Sequence, residues 1–172
     1  AAVVLGSVTI SGIKDSKKLS SRKREKLFSE ILEKAVDVGI GTAGVKEIDE
    51  LNIHNASLLA MSRAVYELRS TPDLVLVDGK FTPVLECQAR AIINGDNCEL
   101  NIAAASIVAK VYRDRFMVSL DKKHPRYGFA EHKGYPTKAH KSALQKLGAI
   151  PQHRLTFSPV TKLYQKGDCE NT

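Results

Sequence analysis

The sequence predicts an α/β fold in which helices flank a sheet. Short apolar runs that resemble buried strands alternate with longer segments in which apolar residues recur at helical spacing. Two of the runs, residues 74–77 and 89–93, are bounded by turn residues, as strands buried on both faces of a sheet are. Strands that alternate with helices imply helices packed on a sheet. After Pro125 the composition changes to loops with glycine and aromatic residues, which predicts an appendage to this core.

The composition is that of a globular protein. The chain has 172 residues, of which 43% are hydrophobic and 26% charged, so it can bury a substantial core without staples. Its net charge of +7 permits a polyanionic partner without requiring one. The three cysteines are odd in number and lack metal-like spacing, which favours a reducing, cytoplasmic setting. No apolar run approaches the length of a membrane span, so we expect no membrane association.

The first third predicts a strand, a basic loop and a helix. Residues 1–5, continuing past Gly6 to Ile10, indicate a strand or hairpin, and residues 14–19 form a basic loop. Ser20 or Ser21 can cap a helix that ends near Gly39. Its apolar stripe comprises Leu27, Phe28, Ile31, Leu32, Ala35 and Val36. The chain opens inside a strand-like run without an initiator methionine, so we expect a sequence trimmed at its N-terminus.

The remaining elements follow from the same patterns. Residues 40–45 predict a weak, glycine-rich strand, and a helix is expected from Asp49 or Asn52 to the stop at Thr71-Pro72. Residues 102–121 predict a long helix whose small residues allow close approach to the sheet. Residues 140–147 predict a short helix. Residues 150–160 are expected to be irregular, and 167–172 to form a loose polar tail.

Two aspartates, Asp78 and Asp96, are the candidate metal-binding and catalytic residues. Each follows an apolar run and lies beside a glycine. Open α/β sheets bind ligands at the carboxyl ends of their strands, and hard divalent cations prefer carboxylate oxygens. On neighbouring strands the two side chains would form part of a cation site. The alternative is that both aspartates only terminate turns.

Candidate substrate-binding residues lie in two loops. Ser16 and Lys17 combine a hydroxyl, backbone N–H groups and an ammonium before a helix, which suits a phosphate, although a solvated basic turn remains the alternative. Tyr135 lies between Gly134 and Pro136, so its ring is expected either to stack on a sugar or base or to pack the appendage.

Three histidines at positions 124, 132 and 140 are eight residues apart, which is not a usual zinc-ligand spacing. We therefore expect no zinc site there. His132, beside Lys133, is expected in a phosphate-facing loop.

Ten short motifs in this order resemble those of type 2 ribonuclease H, the bacterial ribonuclease HII family. They are KDSKKL (14–19), EIDELNI (47–53), VLVDG (75–79), NGD (94–96), IAAASIVAKV (102–111), RD (113–114), YGF (127–129), HKGYPT (132–137), HR (153–154) and FSPV (157–160). The resemblance spans nearly the whole chain.

The resemblance implies a ribonuclease H-like mixed sheet flanked by helices over residues 1–123, with a helical C-terminal extension over 124–172. It implies a monomeric endonuclease that cuts the RNA strand of RNA/DNA hybrids and cuts at ribonucleotides embedded in DNA. Four carboxylates would hold two Mg²⁺ or Mn²⁺ ions, and hydrolysis would leave 5′-phosphate and 3′-hydroxyl ends. Asp78 and Asp96 resemble the third and fourth carboxylates, Ser16 and Lys17 the phosphate-binding loop, and Tyr135 the sensor of the 2′-hydroxyl.

One family motif, Asp-Glu-Ala-Gly-Arg-Gly, is absent from the sequence. It supplies the other two carboxylates from a central strand expected before Ala1. We therefore expect this sequence by itself to have little nuclease activity, and a catalytically dead hybrid-binding protein is the alternative. An enzyme of small phosphates is disfavoured, because the spacing of Gly39, Gly41 and Gly44 falls after a helix instead of a strand.

Overall fold

The computed structural model describes residues 1–13 and 16–162, which form two compact units. One unit comprises residues 1–43 and 54–112, and the other comprises 44–53 and the chain from 113 onward. Lys14, Asp15 and the predicted tail, with Cys169, lie outside the described residues. The units are grouped by contacts alone, so the predicted domains, 1–123 and 124–172, stay predictions.

The first unit contains four strands in the described residues. Strand β1 (Ala2–Val4) pairs antiparallel with β2 (Asp37–Gly39), and β3 (Leu74–Asp78) pairs parallel with β4 (Gln88–Ile92). These pairs form two separate two-stranded sheets. The predicted α/β class is confirmed, and the two runs that end in aspartates are neighbouring strands. The first strand is shorter than predicted, because it stops at Val4 and does not continue to Ile10.

The predicted strand over residues 40–45 is wrong, as is the predicted helix end at Gly39. Helix α1 (Ser21–Lys34) begins after Ser20, whose Oγ accepts a 3.3 Å hydrogen bond from the Lys23 N–H, and β2 follows it directly. A Cβ atom at Gly39 would lie 2.0 Å from the Ala64 carbonyl oxygen, which is too close for any side chain. The glycine therefore permits close packing of β2 on a helix and does not end one.

Helix α2 (Val45–Tyr66) begins before the predicted start at Asp49 or Asn52. Its first turn follows a 2.7 Å hydrogen bond from the Gly44 N–H to Glu47 Oε2, a capping interaction that the sequence pattern did not predict. Asn52 instead interrupts the helix, with φ 68° and ψ 165°. Asn52 thus separates two helical segments, and the second begins just after it, in agreement with one of the two predicted starts.

The core of the first unit lies along helix α3 (Leu100–Lys123). Ala103 and Ala104 at its start are buried, and the predicted close approach of its small residues to the sheet stays a prediction. The central cluster comprises Leu5, Ile10, Leu19, Leu27, Phe28, Ile31, Ala104, Ile107, Val108 and Val111. A largely apolar cavity of about 410 Å³ is lined by β1, β3 and parts of α2 and α3.

The second unit is built from short helices around its own core. Helix α4 (Phe129–His132) lies within the predicted loop, and α5 (Lys138–Leu147) starts two residues before the predicted 140. Thr137 caps α5, because its Oγ1 accepts a 3.2 Å hydrogen bond from the His140 N–H. The core comprises Met117, Leu120, Tyr127, Phe129, Leu144 and Val160. Among the described residues, no helix has the length and apolar character needed to cross a membrane.

Candidate functional site

Asp78 is the last residue of β3, and its exposed side chain reaches the loop that follows β4. Its Oδ1 accepts a 2.9 Å hydrogen bond from the backbone N–H of Gly95. Because β3 and β4 are parallel neighbours, their carboxyl ends lie at the same edge of the sheet. The structure therefore brings Asp78 next to the turn that carries Asp96.

Asp96 is held in a tight 3₁₀ turn, Gly95–Asn97, preceded by Asn94 in the left-handed conformation. Its side chain is buried, its Oδ1 accepts a 2.9 Å hydrogen bond from Asn97 Nδ2, and its Oδ2 lies 3.7 Å from Lys17 Nζ. A Cβ atom at Gly95 would approach Ile102 Cδ1 to 2.5 Å, so a side chain there would require the Ile102 side chain to move. The carboxylate is thus fixed in place and partly compensated by a cation.

The basic loop packs on the same turn. Arg24 Nη1 donates to the carbonyls of Ser16, at 3.0 Å, and Leu19, at 2.6 Å, which holds the loop in shape. Lys18 Nζ donates a 2.5 Å hydrogen bond to Asn97 Oδ1. The structure therefore brings Lys17 to Asp96, whereas the side chain of Ser16 is buried. Lys18 follows the predicted phosphate-binding residues Ser16 and Lys17 in the same basic stretch of sequence.

The donor set of this region fits a hard divalent cation. Asp78 and Asp96 offer carboxylate oxygens, the ligands that Mg²⁺ and Mn²⁺ prefer. Within residues 1–13 and 16–162, no group of three or more His, Cys, Asp or Glu residues could hold a metal ion. The two aspartates alone would thus supply only part of a metal site. Water, phosphate oxygens or further ligands would complete it.

Tyr135 presents its ring to solvent from a fixed backbone. Its side chain is 63% exposed. Its N–H donates to the His132 carbonyl at 2.8 Å, and its own carbonyl accepts hydrogen bonds from the Thr137 N–H at 2.8 Å and His140 Nδ1 at 3.1 Å. Exposure of this kind agrees with a presented ring and disagrees with burial in a core.

His132 is not in a phosphate-facing loop, which corrects the prediction. It is buried, and its Nε2 pairs with the Tyr127 carbonyl at 2.8 Å. Its ring stacks on His140 at 4.1 Å between centroids, and His140 in turn contacts His153 at 3.2 Å. This histidine cluster was missed, because no local spacing relates residues 140 and 153.

A family model of ribonuclease HII matches residues 3–160. The chain belongs to the ribonuclease HII family. It is 53% identical over 171 residues to the ribonuclease HII of Polynucleobacter necessarius, covering 94% of this chain and 87% of that protein. It is 54% identical over 164 residues to the ribonuclease HII of Shewanella loihica, covering 93% and 79%. The predicted family and its class, ribonuclease H endonucleases, are confirmed.

The fold agrees with this assignment. The crystal structure of ribonuclease H2 from Pyrococcus horikoshii OT3 superimposes with a TM-score of 0.71 at 27% identity. The match covers 90% of this chain and 81% of that one. The ribonuclease H-like architecture predicted from the ten motifs is therefore confirmed.

Proposed function

We propose that this ribonuclease HII family chain, together with the family's Asp-Glu-Ala-Gly-Arg-Gly strand, cuts the RNA strand of RNA/DNA hybrids and cuts at ribonucleotides embedded in DNA. Hydrolysis uses two Mg²⁺ or Mn²⁺ ions and leaves 5′-phosphate and 3′-hydroxyl ends, and the protein acts as a cytoplasmic monomer. The observation that supports the proposal is the hydrogen bond from Gly95 to Asp78, which ties the end of β3 to the turn whose Asp96 lies 3.7 Å from Lys17 Nζ.

Asp78 and Asp96 are the residues that hold the metal ions. When bound, such ions lower the pKa of a coordinated water and neutralise charge on the scissile phosphate. The protein contributes fixed ligand positions, because Asp78 is tied to Gly95 and Asp96 to Asn97. Because these ligands are already held in position, little reorganisation is needed when charge develops during the reaction.

Lys17, in the loop that begins at the buried Ser16, contacts the phosphate backbone of the substrate. The side chain of Lys17 is 82% exposed and lies close to Asp96, so its ammonium can contact a phosphate bound at the carboxylates. Lys18, joined to Asn97, holds the loop on the aspartate turn. Contacts of this kind position the substrate without reading its bases.

Tyr135 distinguishes the sugars. RNA and DNA differ at the 2′-hydroxyl, and recognition of that group needs a side chain at the sugar edge. The exposed ring can pack on the deoxyribose that follows a ribonucleotide, and its hydroxyl can form a hydrogen bond there. Base sequence is then read weakly, because the contacts go to the backbone and the sugar.

The test is a cleavage assay on four end-labelled duplexes: RNA/DNA hybrid, DNA with one embedded ribonucleotide, all DNA and all RNA. When the family's Asp-Glu-Ala-Gly-Arg-Gly strand is present, we expect cuts only in the first two, only with Mg²⁺ or Mn²⁺, and with 3′ ends that a DNA polymerase extends. The given sequence by itself should cut little. Asp96→Asn, purified identically, controls for contaminating host nuclease. Tight binding of the hybrid without metal-dependent cleavage would instead establish the alternative, a hybrid-binding protein.

A further inference from the structure

A chain of hydrogen bonds links the backbone of Ile150 to the backbone of Tyr135 through two histidines. The Ile150 N–H lies 3.1 Å from His153 Nδ1, His153 Nε2 lies 3.2 Å from His140 Nε2, and His140 Nδ1 lies 3.1 Å from the Tyr135 carbonyl. Both histidines are buried. All four residues belong to the second unit.

The partners at the two ends fix every proton in this chain. An amide N–H only donates, so His153 Nδ1 must accept, and the His153 proton lies on Nε2. The Tyr135 carbonyl only accepts, so His140 must carry its proton on Nδ1, which leaves His140 Nε2 free to accept from His153. The two neutral rings therefore form a relay in which every hydrogen bond points toward Tyr135.

His132 reinforces this arrangement from one side. The Gly134 N–H donates to its Nδ1 at 3.2 Å, so its proton lies on Nε2 and is donated to the Tyr127 carbonyl. Its ring is stacked on His140, and Phe129 meets both rings edge-on at 5.6 and 5.5 Å. The residues on either side of the Gly134–Tyr135 peptide are thus both held by neutral histidines.

We propose that His140 and His153 are positioning residues for Tyr135: their relay anchors its carbonyl and so sets the direction in which its exposed ring meets the substrate. The inference rests on the proposed role of Tyr135 in sensing the ribonucleotide. Lys138 and Lys141, at the start of α5, are exposed and take no part in the relay. His140 and His153, which anchor the Tyr135 carbonyl, are buried, whereas the Tyr135 ring is exposed. The histidines and the ring can therefore be mutated separately.

The relay itself is tested by long-range ¹H–¹⁵N NMR correlation on the full chain at neutral pH. The ring nitrogens should show the Nδ1–H tautomer for His140 and the Nε2–H tautomer for His132 and His153. Variants at each position assign the signals. An Nε2–H tautomer at His140 would overturn the proposal, and this result does not depend on whether the protein cuts or binds nucleic acid.

Its consequence is tested by the preference for a DNA duplex with one ribonucleotide over the same duplex without it. Preference is measured as a ratio of affinities in Ca²⁺, whose flexible oxygen coordination lets it occupy carboxylate sites. His140→Ala should reduce the ratio by about 5-fold, the size of one hydrogen bond. His140→Asn, whose amide can replace Nδ1–H, should retain most of it, and His153→Gln, which can replace Nε2–H, should do the same.

His54→Ala, outside the second unit, serves as the control and should leave the ratio unchanged. If His140→Ala and His140→Asn lower the melting temperature without changing the ratio, the histidines only stabilise the unit and the proposal is wrong. A wild-type protein without any preference would overturn the proposed function together with this role. The NMR tautomers would then still show whether the relay exists, so the two failures remain distinguishable.

Discussion

The carboxylate of Asp78 accepts a 2.9 Å hydrogen bond from the backbone N–H of Gly95, the residue directly before Asp96. The end of β3 is thereby tied to the turn that follows β4. This turn is closed further by the 3.1 Å hydrogen bond from the Cys98 N–H to the Gly95 carbonyl, which holds Asp96 beside the Gly95–Asp78 hydrogen bond. The spacing of the two acids is therefore set by backbone geometry.

Replacing either aspartate by asparagine should remove metal binding while preserving the fold. In Asp78→Asn the new side chain would keep an amide oxygen that can accept from Gly95, so only the charge is lost. We expect Mn²⁺ affinity, measured by electron paramagnetic resonance, to fall by about 10-fold or more for Asp78→Asn and Asp96→Asn. Asp73→Asn, at an exposed position just before β3, is the matched control. Unchanged Mn²⁺ affinity in both variants would remove the aspartates from the metal site.

Lys17→Ala should weaken nucleic-acid binding equally for all base sequences. Loss of one phosphate contact makes the slope of log affinity against log salt concentration shallower by about one unit. Fluorescence anisotropy titrations at several salt concentrations measure this slope. Lys26→Ala, an exposed lysine of α1, removes the same charge away from Asp96. Equal slopes for wild type and Lys17→Ala would leave Lys17 as a solvated residue.

The paired aspartates could be predicted from the sequence because their positions follow from local patterns. Each aspartate follows an apolar run, and the two runs form parallel neighbouring strands. The strands are not buried on both faces as predicted, because only Val77 among their residues is buried. The strand near Gly39 was misplaced for the opposite reason. Its glycine is required by the Ala64 carbonyl, which comes close only once α2 is packed, and such a contact leaves no local signal.

The histidine relay could not be predicted for a similar reason. His140 and His153 are separated by α5 and a turn, so their contact depends on how the second unit folds. His132 looked suited to phosphate binding because it precedes Lys133. Its buried neighbour His140 instead makes it part of the core, and a charged role there would require costly desolvation.

Lowering the pH from 7.5 to 5.5 should destabilise the protein through the histidine cluster. Burial lowers the pKa of His140, with His132 adding repulsion. Burial likewise lowers the pKa of His153, with repulsion from His140 adding to the effect. The unfolded chain then binds more protons than the folded chain below about pH 6.5. The contribution of the neutral histidines to the free energy of unfolding is therefore fully present above that pH. It is lost as the pH falls through about 6.5 toward the folded-state pKa values.

Urea unfolding at several pH values measures this loss, and His140→Asn combined with His153→Gln should remove most of it. Asp49 does not obscure the result. Partial desolvation acts to raise the pKa of Asp49, but hydrogen bonds from Thr156 and Leu155 outweigh it and the pKa is lowered. Asp49 therefore remains charged throughout this window. A free energy of unfolding that is constant between pH 7.5 and 5.5 would contradict the neutral state assigned to the cluster.

In a protein that also carries the Asp-Glu-Ala-Gly-Arg-Gly strand, Tyr135→Ala should impair cleavage at a single embedded ribonucleotide more than cleavage of a continuous RNA/DNA hybrid. A lost stacking contact is worth roughly 1–3 kcal/mol, which corresponds to about a 5- to 150-fold lower rate if it is felt in the transition state. Tyr135→Phe keeps the ring and separates stacking from the hydroxyl. Tyr66→Ala is the matched control, since Tyr66 is 60% exposed against 63% for Tyr135.

Cleavage rates on the two substrates and the melting temperature decide the outcome. Because the ring is exposed, the melting temperature should hardly change, and an equal fall in both rates with a lower melting temperature would show that Tyr135 serves packing alone.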